Sequence, residues 1–388
     1  MALPCKPPVD LVIIQNKETQ FDAPLYSLIH SSAPFSLLVI YTAARIAEAN
    51  EDAELGFAPA WDHLQNAAYP SWVLPRTGPL AIAQLAQQLH NLRPRLVVIC
   101  GYYPRSQLWL ALWLRALGMH IGLRSDNTLL HTQLTGLRGW LRRLVVGRIQ
   151  RLFHTWHPVG EQAEAYLRTL SGTRRPSHRF AYAVDNDWFA RESDRSRRQR
   201  AAFLQSLGWP AEAFVVLGIM KWTEREDPLT LVEAFRQLAS RDPMARLVLI
   251  GEGPLRERVM EALRSLAGSV HAPGYLPYSQ LPLWYGRADV FVHPAPDEPW
   301  GCSINEALAC GLPVLAAEGV GAAAEMLMSS SCGSLFANHD AVQLADQLVQ
   351  LAAQKDRTSV RTAARLAAAR WHYGHTVEAF VHALQRFA

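Results

Sequence analysis

Cysteine is scarce in this sequence, and the few cysteines are scattered. Five are present and no two form a CxxC pair; they are Cys5, Cys100, Cys302, Cys310 and Cys332. A disulfide scaffold or a zinc ribbon needs cysteines paired at short spacing, so neither fits this pattern. We therefore predict a chain that works in the reducing cytoplasm without a structural metal.

Long apolar runs and strong net charge are also lacking. The most apolar stretch, 108–123, is broken by Arg115 and His120 and is short for a bilayer span, so we interpret it as a buried helix leading into a strand. The first residues lack the order of charges, apolar core and small residues that marks an export signal, and we expect none. A net charge of +4 does not favour nucleic acid, and we predict no nucleic-acid partner.

The sequence does contain a regular alternation of short apolar runs and longer amphipathic stretches. This alternation predicts parallel sheets with helices on both faces, and 388 residues predict two domains. The expected strands are 11–14, 37–41, 96–100, 121–123, 215–217, 247–250, 290–293 and 314–316, and clear helical patterns cover 80–92, 229–240 and 254–266. The segment 191–200 has no apolar residue, and we interpret it as a solvated stretch near the domain junction.

The segment 297–314 is the most informative part of the sequence. Two carboxylates, Glu298 and Glu306, are separated by seven residues, and Gly301 lies between them. A helix is expected to begin near Ser303, so that its first amides can face an anion such as a diphosphate. Ser303 and Glu306 also fit a capping box, a purely structural role that the spacing alone leaves open.

The whole string resembles the E-x7-E motif of retaining GT-B glycosyltransferases of family 4, also called glycosyl transferases group 1. Other segments match the same family in order, and the likeness covers about residues 180–340. They are Gly218-Ile219-Met220-Lys221 with Arg225 and Pro228, then Leu249-Ile250-Gly251-Glu252-Gly253-Pro254, then Gly274-Tyr275-Leu276 with Ala288-Asp289-Val290.

The resemblance implies a GT-B fold: two facing Rossmann-like domains, at 1–188 for the acceptor and 189–368 for the nucleotide sugar. It also implies a C-terminal helix, within 369–388, that returns to the first domain. The implied activity is transfer of a sugar from a nucleotide-diphosphate sugar to a glycan, lipid-linked or small-molecule acceptor, with retention of configuration. No cofactor and no metal would be needed. A nucleotide-sugar epimerase and a non-catalytic binder of the same fold are the alternatives.

The resemblance also assigns residue roles. Lys221 and Arg225 would bind the diphosphate, and Glu298 would hold the transferred sugar near the reacting carbon. Glu306 would bind the ribose hydroxyls. The remaining donor contacts would come from Gly301, Cys302 and Ser303 near the sugar or phosphate, from Tyr275 and Leu276 at the base, and from Gly251 and Gly253 beside the nucleoside.

One residue departs from the family pattern. Glu226 stands where the family has a second basic residue. A carboxylate beside a diphosphate is unfavourable, so we expect Glu226 to point away from the phosphates and Arg225 to supply the missing charge.

The N-terminal half carries weaker signals. Phe21–Tyr26 and Phe57–Asp62 resemble segments of a poorly characterised branch of the family, and Asp126 follows a predicted strand where family members place a polar residue near the donor sugar. An Asx-turn or helix cap is the alternative for Asp126. Residues 138–151 hold five arginines and no acid, which suits a peripheral contact with the inner face of a membrane or a helix with a basic outer face. Asp185-Asn186-Asp187 is formally D-x-D, but we predict a turn or cap there.

Overall fold

The computed structural model describes residues 8–44, 52, 54–58, 62, 68–130, 132, 134–327, 331–354 and 357–387. The chain divides into two compact units. The N-unit contains the described residues within 1–50, 64–183 and 373–388, and the C-unit contains those within 51–63 and 184–372. This division falls after Ala183, five residues before the predicted 188/189 boundary, and it assigns the segment 51–63 to the C-unit. Cys5, Trp61 and the first residues examined for an export signal lie outside the described residues.

The described part of the N-unit contains a six-stranded parallel sheet in the order β3-β2-β1-β4-β5-β6. Its strands are β1 (Leu11–Lys17), β2 (Leu37–Ala44), β3 (Ser71–Val73), β4 (Leu96–Cys100), β5 (Ile121–Ser125) and β6 (Thr155–Pro158). Helices α1 (Asp22–Ser32), α2 (Pro79–Leu92), α3 (Arg105–Ala116), α4 (Gly136–Arg151) and α5 (Glu161–Ser171) connect or follow them. Apolar runs such as Leu11–Ile14 are fully buried, as expected for strands covered on both faces.

The described part of the C-unit repeats this plan. Its sheet has the order β12-β11-β10-β7-β8-β9, which is the same topology counted from β7. The strands are β7 (Phe214–Ile219), β8 (Ala245–Ile250), β9 (Val270–Gly274), β10 (Val290–His293), β11 (Val314–Ala317) and β12 (Gly333–Phe336). The helices are α6 (Asn186–Arg197), α7 (Arg200–Ser206), α8 (Pro228–Arg241), α9 (Arg256–Leu263), α10 (Leu281–Arg287), α11 (Cys302–Ala309), α12 (Gly321–Met326), α13 (Ala341–Ala353) and α14 (Arg357–Ala369).

The last helix, α15 (Tyr373–Gln385), belongs to the N-unit. Phe380 packs edge-on against Phe180 with ring centroids 5.0 Å apart, and Arg95 donates a 2.8 Å hydrogen bond to the Leu384 carbonyl. The sequence-based expectation that the chain end returns to the first domain is therefore confirmed.

Two local interpretations need correction. Residues 191–200 are not a solvated stretch: most of them form the end of α6, in which Ser193 and Ser196 are buried. The stretch 108–123 does contain a helix and a strand, but α3 is buried on one face only, because Trp109, Leu112 and Trp113 are exposed.

The Asp185 side chain accepts a 2.9 Å hydrogen bond from the Trp188 amide at the start of α6, so the cap predicted for the D-x-D segment is confirmed.

None of the helices in the described part of the chain combines the length and the apolar character that crossing a bilayer requires.

Candidate active site

The strand order places most of the predicted donor residues at one point of the C-unit. β7 and β10 are neighbours in the sheet, although Val290 and its register neighbour Val216 are 74 positions apart in the sequence. The chain proceeds from β7 to one side of the sheet and from β10 to the other, so the loops after these two strands diverge and leave a crevice. Lys221 and Arg225 lie in the first loop, and Glu298 and the start of α11 lie in the second.

The loop that carries Lys221 is fixed by close packing on the β8–α9 turn. The Trp222 ring is fully buried, and its amide donates a 2.8 Å hydrogen bond to the Glu252 carbonyl. A Cβ added at Gly251 would lie 1.9 Å from the Met220 carbonyl oxygen, so only glycine permits this approach. Gly251 and Gly253 therefore support the Lys221 loop; a nucleoside contact at these glycines remains a prediction.

Arg225 links the two loops. Its guanidinium donates to the Glu298 carboxylate from one nitrogen and to the Glu226 carboxylate from another. Burial alone would lower the pKa of Arg225, but Glu226 and Glu298 raise it. The Glu226 carboxylate is buried and lies beside Glu298; that it points away from the donor phosphates stays a prediction. Two carboxylates can lie side by side here because Arg225 donates a hydrogen bond to each of them.

Gly301 sets the geometry between the two glutamates of the motif. Its φ of 92° lies in the left-handed region, and it directly precedes α11, whose first residue is Cys302. Ser303 is therefore inside the helix rather than at its cap, and its hydroxyl lies 3.4 Å from His293 Nδ1. The capping box is not formed, so that alternative for Glu306 is excluded.

Glu306 is buried beneath the site. It accepts 2.9 Å hydrogen bonds from the hydroxyls of Tyr278 and Tyr285, one on each carboxylate oxygen. Burial raises the pKa of Glu306 to about 7, and the tyrosine hydroxyls act in the opposite direction. Each oxygen retains a further lone pair with which it could accept from a ribose hydroxyl.

We expect Glu306→Gln to weaken nucleoside diphosphate binding and to change how stability depends on pH. Glu306 is protonated in the folded state below about pH 7 but ionised in the unfolded chain above about 4.5, so it destabilises the fold as pH rises through that window. The melting temperature of the variant minus that of wild type should therefore increase between pH 5 and pH 8. Unchanged nucleotide affinity, measured by calorimetry, would contradict the ribose role.

His293, at the end of β10, completes a small polar cluster. Its side chain is buried, and its Nε2 has no hydrogen-bond partner in the described part of the chain. Burial lowers the pKa of His293 to about 4, which keeps the ring neutral. One ligand atom from each of Glu226, His293 and Glu298 lies within 4.8 Å of the others, and this is the one trio among the described residues that could hold a metal ion.

The other predicted donor residues surround this cluster. Cys302 is half-buried in the first turn of α11. Tyr275 and Leu276 follow β9 and are half-buried, and the Tyr275 ring packs edge-on against Phe57 at 5.0 Å between centroids. Their proposed role beside the base remains a prediction.

Lys221 has partners that sequence reasoning missed. Its Nζ lies 2.7 Å from Asp52 Oδ2 and 2.7 Å from Glu54 Oε2. Burial alone would lower the pKa of Lys221, but these two carboxylates raise it. The two acids lie far from the motif in sequence and have no distinctive spacing, so no local signal could have predicted the contact.

Asp126 lies in the N-unit, in the loop after β5, and accepts a 2.9 Å hydrogen bond from the Tyr182 hydroxyl. Tyr182 also stacks on the guanidinium of Arg124, which forms a buried 2.9 Å ion pair with Asp22. Asp22 Oδ1 is buried and has no partner in the described residues. Asp22 and Arg124 were not singled out by sequence reasoning, although Asp22 lies in the Phe21–Tyr26 segment.

Nucleotide affinity should fall as pH rises from about 6 to 8. Burial, together with the Glu298 carboxylate, raises the pKa of Glu226 to about 7, so deprotonation adds a negative charge to the crevice in this range. Calorimetric titration of UDP, GDP and ADP at several pH values measures the slope. Glu226→Gln should reduce the slope of nucleotide affinity against pH. The ionisation of the nucleotide itself affects wild type and this variant equally, so it does not contribute to the difference. Identical slopes would contradict the assignment.

Comparison with known proteins adds independent findings. Residues 199–367 match the family described as "Glycosyl transferases group 1". The D-inositol 3-phosphate glycosyltransferase of Xylanimonas cellulosilytica is 31% identical over 218 residues, which are 54% of this chain and 51% of that protein. The GDP-mannose-dependent alpha-(1-6)-phosphatidylinositol monomannoside mannosyltransferase of Mycolicibacterium smegmatis is 28% identical over 166 residues, covering 40% of this chain and 42% of its own. The chain thus spans about half the length of these relatives or less.

A solved structure resembles nearly the whole chain. The Anabaena HepE protein in complex with UDP aligns with a TM-score of 0.74 at 16% identity, covering 97% of this chain and 100% of HepE. Together with the two parallel six-stranded sheets, this likeness defines a GT-B fold. Residues 199–367 are similar to the glycosyl transferases group 1.

Proposed function

We propose that the protein is a metal-independent glycosyltransferase that transfers a sugar from a nucleotide-diphosphate sugar to a glycan, lipid-linked or small-molecule acceptor, with retention of configuration. The observation that carries the proposal is the convergence of Lys221, Arg225 and Glu298 at the switch point of the C-unit, beside the start of α11. The group 1 relatives named as glycosyltransferases support it, and so does the UDP complex of the structural neighbour.

In the proposed reaction, the bond between the anomeric carbon and the diphosphate oxygen breaks, and a bond to an acceptor oxygen forms on the same face. The acceptor hydroxyl gives its proton to the departing diphosphate oxygen as that bond forms. Lys221, Arg225 and the first amides of α11 would stabilise the departing diphosphate, which is preorganised electrostatic stabilisation. Glu298 would accept from sugar hydroxyls and favour positive charge on the ring.

Independence from metal is proposed because Arg225 already donates to both carboxylates of the Glu226–His293–Glu298 trio. Transfer should therefore persist in excess EDTA at the rate seen without it. Loss of transfer in EDTA that is restored by manganese would contradict metal independence. It would indicate that Glu226, His293 and Glu298 bind the metal ion.

The experiment that tests the activity has two stages. Thermal-shift screening against UDP-, GDP-, ADP- and TDP-sugars identifies the donor, since a ligand at a hundred times its dissociation constant stabilises by roughly 2.7 kcal/mol. Donor consumption is then measured with and without candidate acceptors, and NMR assigns the product anomer. An inverted product would contradict retention, and an epimerised donor without transfer would favour the epimerase alternative.

A non-catalytic binder is the second candidate, and Glu226 is the observation that favours it. Binding without donor turnover in every acceptor tested would support that candidate.

We also propose that the protein works in the cytoplasm and contacts an anionic membrane surface through residues 138–151. On α4, Leu137, Trp140, Leu141 and Val145 are exposed beside the arginines. α3 and α4 connect successive strands in the same direction across the sheet, so right-handed crossovers place them on one face. Trp109 and Trp113 of α3 are also exposed.

Vesicle sedimentation tests this contact. Binding to phosphatidylglycerol vesicles should exceed binding to phosphatidylcholine vesicles and should weaken in Trp140→Ser. Leu366→Ser, at an exposed leucine of α14 in the C-unit, is the matched control. Equal binding to both vesicle types would favour the helix with an ordinary basic outer face.

A further inference from the structure

Carboxylates of the chain itself contact the cations proposed to hold the donor diphosphate. Asp52 and Glu54 each place an oxygen 2.7 Å from Lys221 Nζ, and Glu54 lies 3.9 Å from Arg225 Nε. All four residues belong to the C-unit. Two negative charges therefore lie where the proposed function requires two phosphates.

The same segment also reaches the proposed nucleoside side of the site. The Phe57 ring packs edge-on against Tyr275, the residue proposed to line the base pocket. Further along, the Asp62 carboxylate accepts from the amide and the hydroxyl of Ser279. Ser279 adjoins Tyr278, which donates to Glu306. An aromatic ring and a third acid thus contact residues beside the base and ribose positions.

A compact turn presents these groups together. The Asp52 carbonyl accepts from the amides of Leu55 (3.1 Å) and Gly56 (2.8 Å), and the Asp52 amide donates to the Phe57 carbonyl at 3.0 Å. The Asp52 side chain accepts a 2.9 Å hydrogen bond from the Glu54 amide. The turn therefore holds two carboxylates and an aromatic ring close together. A nucleoside diphosphate likewise presents two negatively charged groups and one aromatic ring to its binding site.

We propose that Asp52, the residues 54–58 and Asp62 together form an intramolecular ligand of the donor site that a nucleoside diphosphate must displace. The inference rests on the proposed function, because it takes Lys221, Arg225 and Tyr275 to be donor contacts. The apparent affinity for nucleotide is then reduced by the fraction of molecules in which the segment is released. Because the ion pairs are partly exposed, they are weak and sensitive to salt, so release remains accessible.

The test titrates UDP, GDP and ADP, without sugar, into wild type and the double variant Asp52→Asn/Glu54→Gln. The double variant should bind its preferred nucleotide about three- to tenfold more tightly, because neutral side chains compete poorly for Lys221. Glu224→Gln is the control, since that exposed carboxylate pairs with Arg258 instead. Equal or weaker binding by the double variant would overturn displacement; weaker binding would instead make the acids part of the donor site.

A second measurement needs no nucleotide. Hydrogen exchange at the Leu55 and Gly56 amides should accelerate in Lys221→Ala, because the turn loses its anchor. Unchanged exchange would overturn the intramolecular contact. If no nucleotide binds to wild type or to any variant, the proposed function and the displacement are both contradicted. Faster exchange of the Leu55 and Gly56 amides in Lys221→Ala would still establish that the turn contacts Lys221.

Discussion

Glu298→Ala should lower the turnover number by about 10²–10³-fold while leaving the fold intact. A group that stabilises charge developing only in the transition state typically contributes that much. Glu298 lies in a loop tied to Gly319 and Gly321 by backbone hydrogen bonds, which remain when the carboxylate that accepts from the Trp300 amide is removed. Affinity for free nucleoside diphosphate should be unchanged or tighter, because Arg225 loses a competing carboxylate. Initial rates at saturating donor measure the effect.

Glu318→Ala is the matched control, since Glu318 is exposed and adjoins Gly319 in the neighbouring loop. It should keep the wild-type turnover number. If Glu298→Ala also stays within threefold of wild type, the carboxylate does not act on the reacting sugar, and its ion pair with Arg225 is structural.

Lys221→Ala should reduce kcat/KM for the donor about ten- to hundredfold. Losing one charge-assisted hydrogen bond to a phosphate costs about 1.5–3 kcal/mol. Lys221→Arg should retain part of the activity, because the charge remains. Arg258→Ala is the control, since Arg258 is exposed and pairs with Glu224. If Lys221→Ala and Arg258→Ala behave alike, Lys221 is not a diphosphate ligand.

Glu226→Lys, viewed from sequence alone, should leave activity unchanged or raise it. The structure reverses this expectation, because Glu226 is buried and accepts from Arg225. A lysine there would place a second cation against the guanidinium and remove one of its partners. The variant should therefore show both lower activity and a lower melting temperature than wild type. Transfer that appears only in Glu226→Lys would establish wild type as a non-catalytic binder.

Much of the architecture could be predicted from local pattern. The strands at 96–100 and 290–293 were predicted to the residue, because both are short apolar runs with turn residues at their ends. Gly301, whose backbone is left-handed, directly precedes α11, and Gly311, also left-handed, closely follows the end of this helix. These features depend on neighbours in the chain, so periodicity and glycine placement suffice to predict them.

Ionic partners could not be predicted in this way. The contact of Lys221 with Asp52 joins positions 169 residues apart, and that of Arg225 with Glu298 joins positions 73 apart. Sequence reasoning treated Glu226 as a charge to be turned outward, because it had no means of placing Glu298 and Arg225 beside it. Exposure also escaped prediction: Trp109 and Trp113 sit in an apolar run, yet the sheet covers only the opposite side of α3.

The sequence by itself determined the alternation of strands and helices, the motif from Glu298 to Glu306 and the likeness of residues 199–367 to the glycosyl transferases group 1. These are properties of residue order, and they persist whatever the rest of the chain does. The tertiary structure alone decided which charges meet. Strand order brings the loops after β7 and β10 together, and burial there favours paired over isolated charges. The same burial sets the pKa of Glu226 and Glu306 near neutrality, where protonation can govern binding.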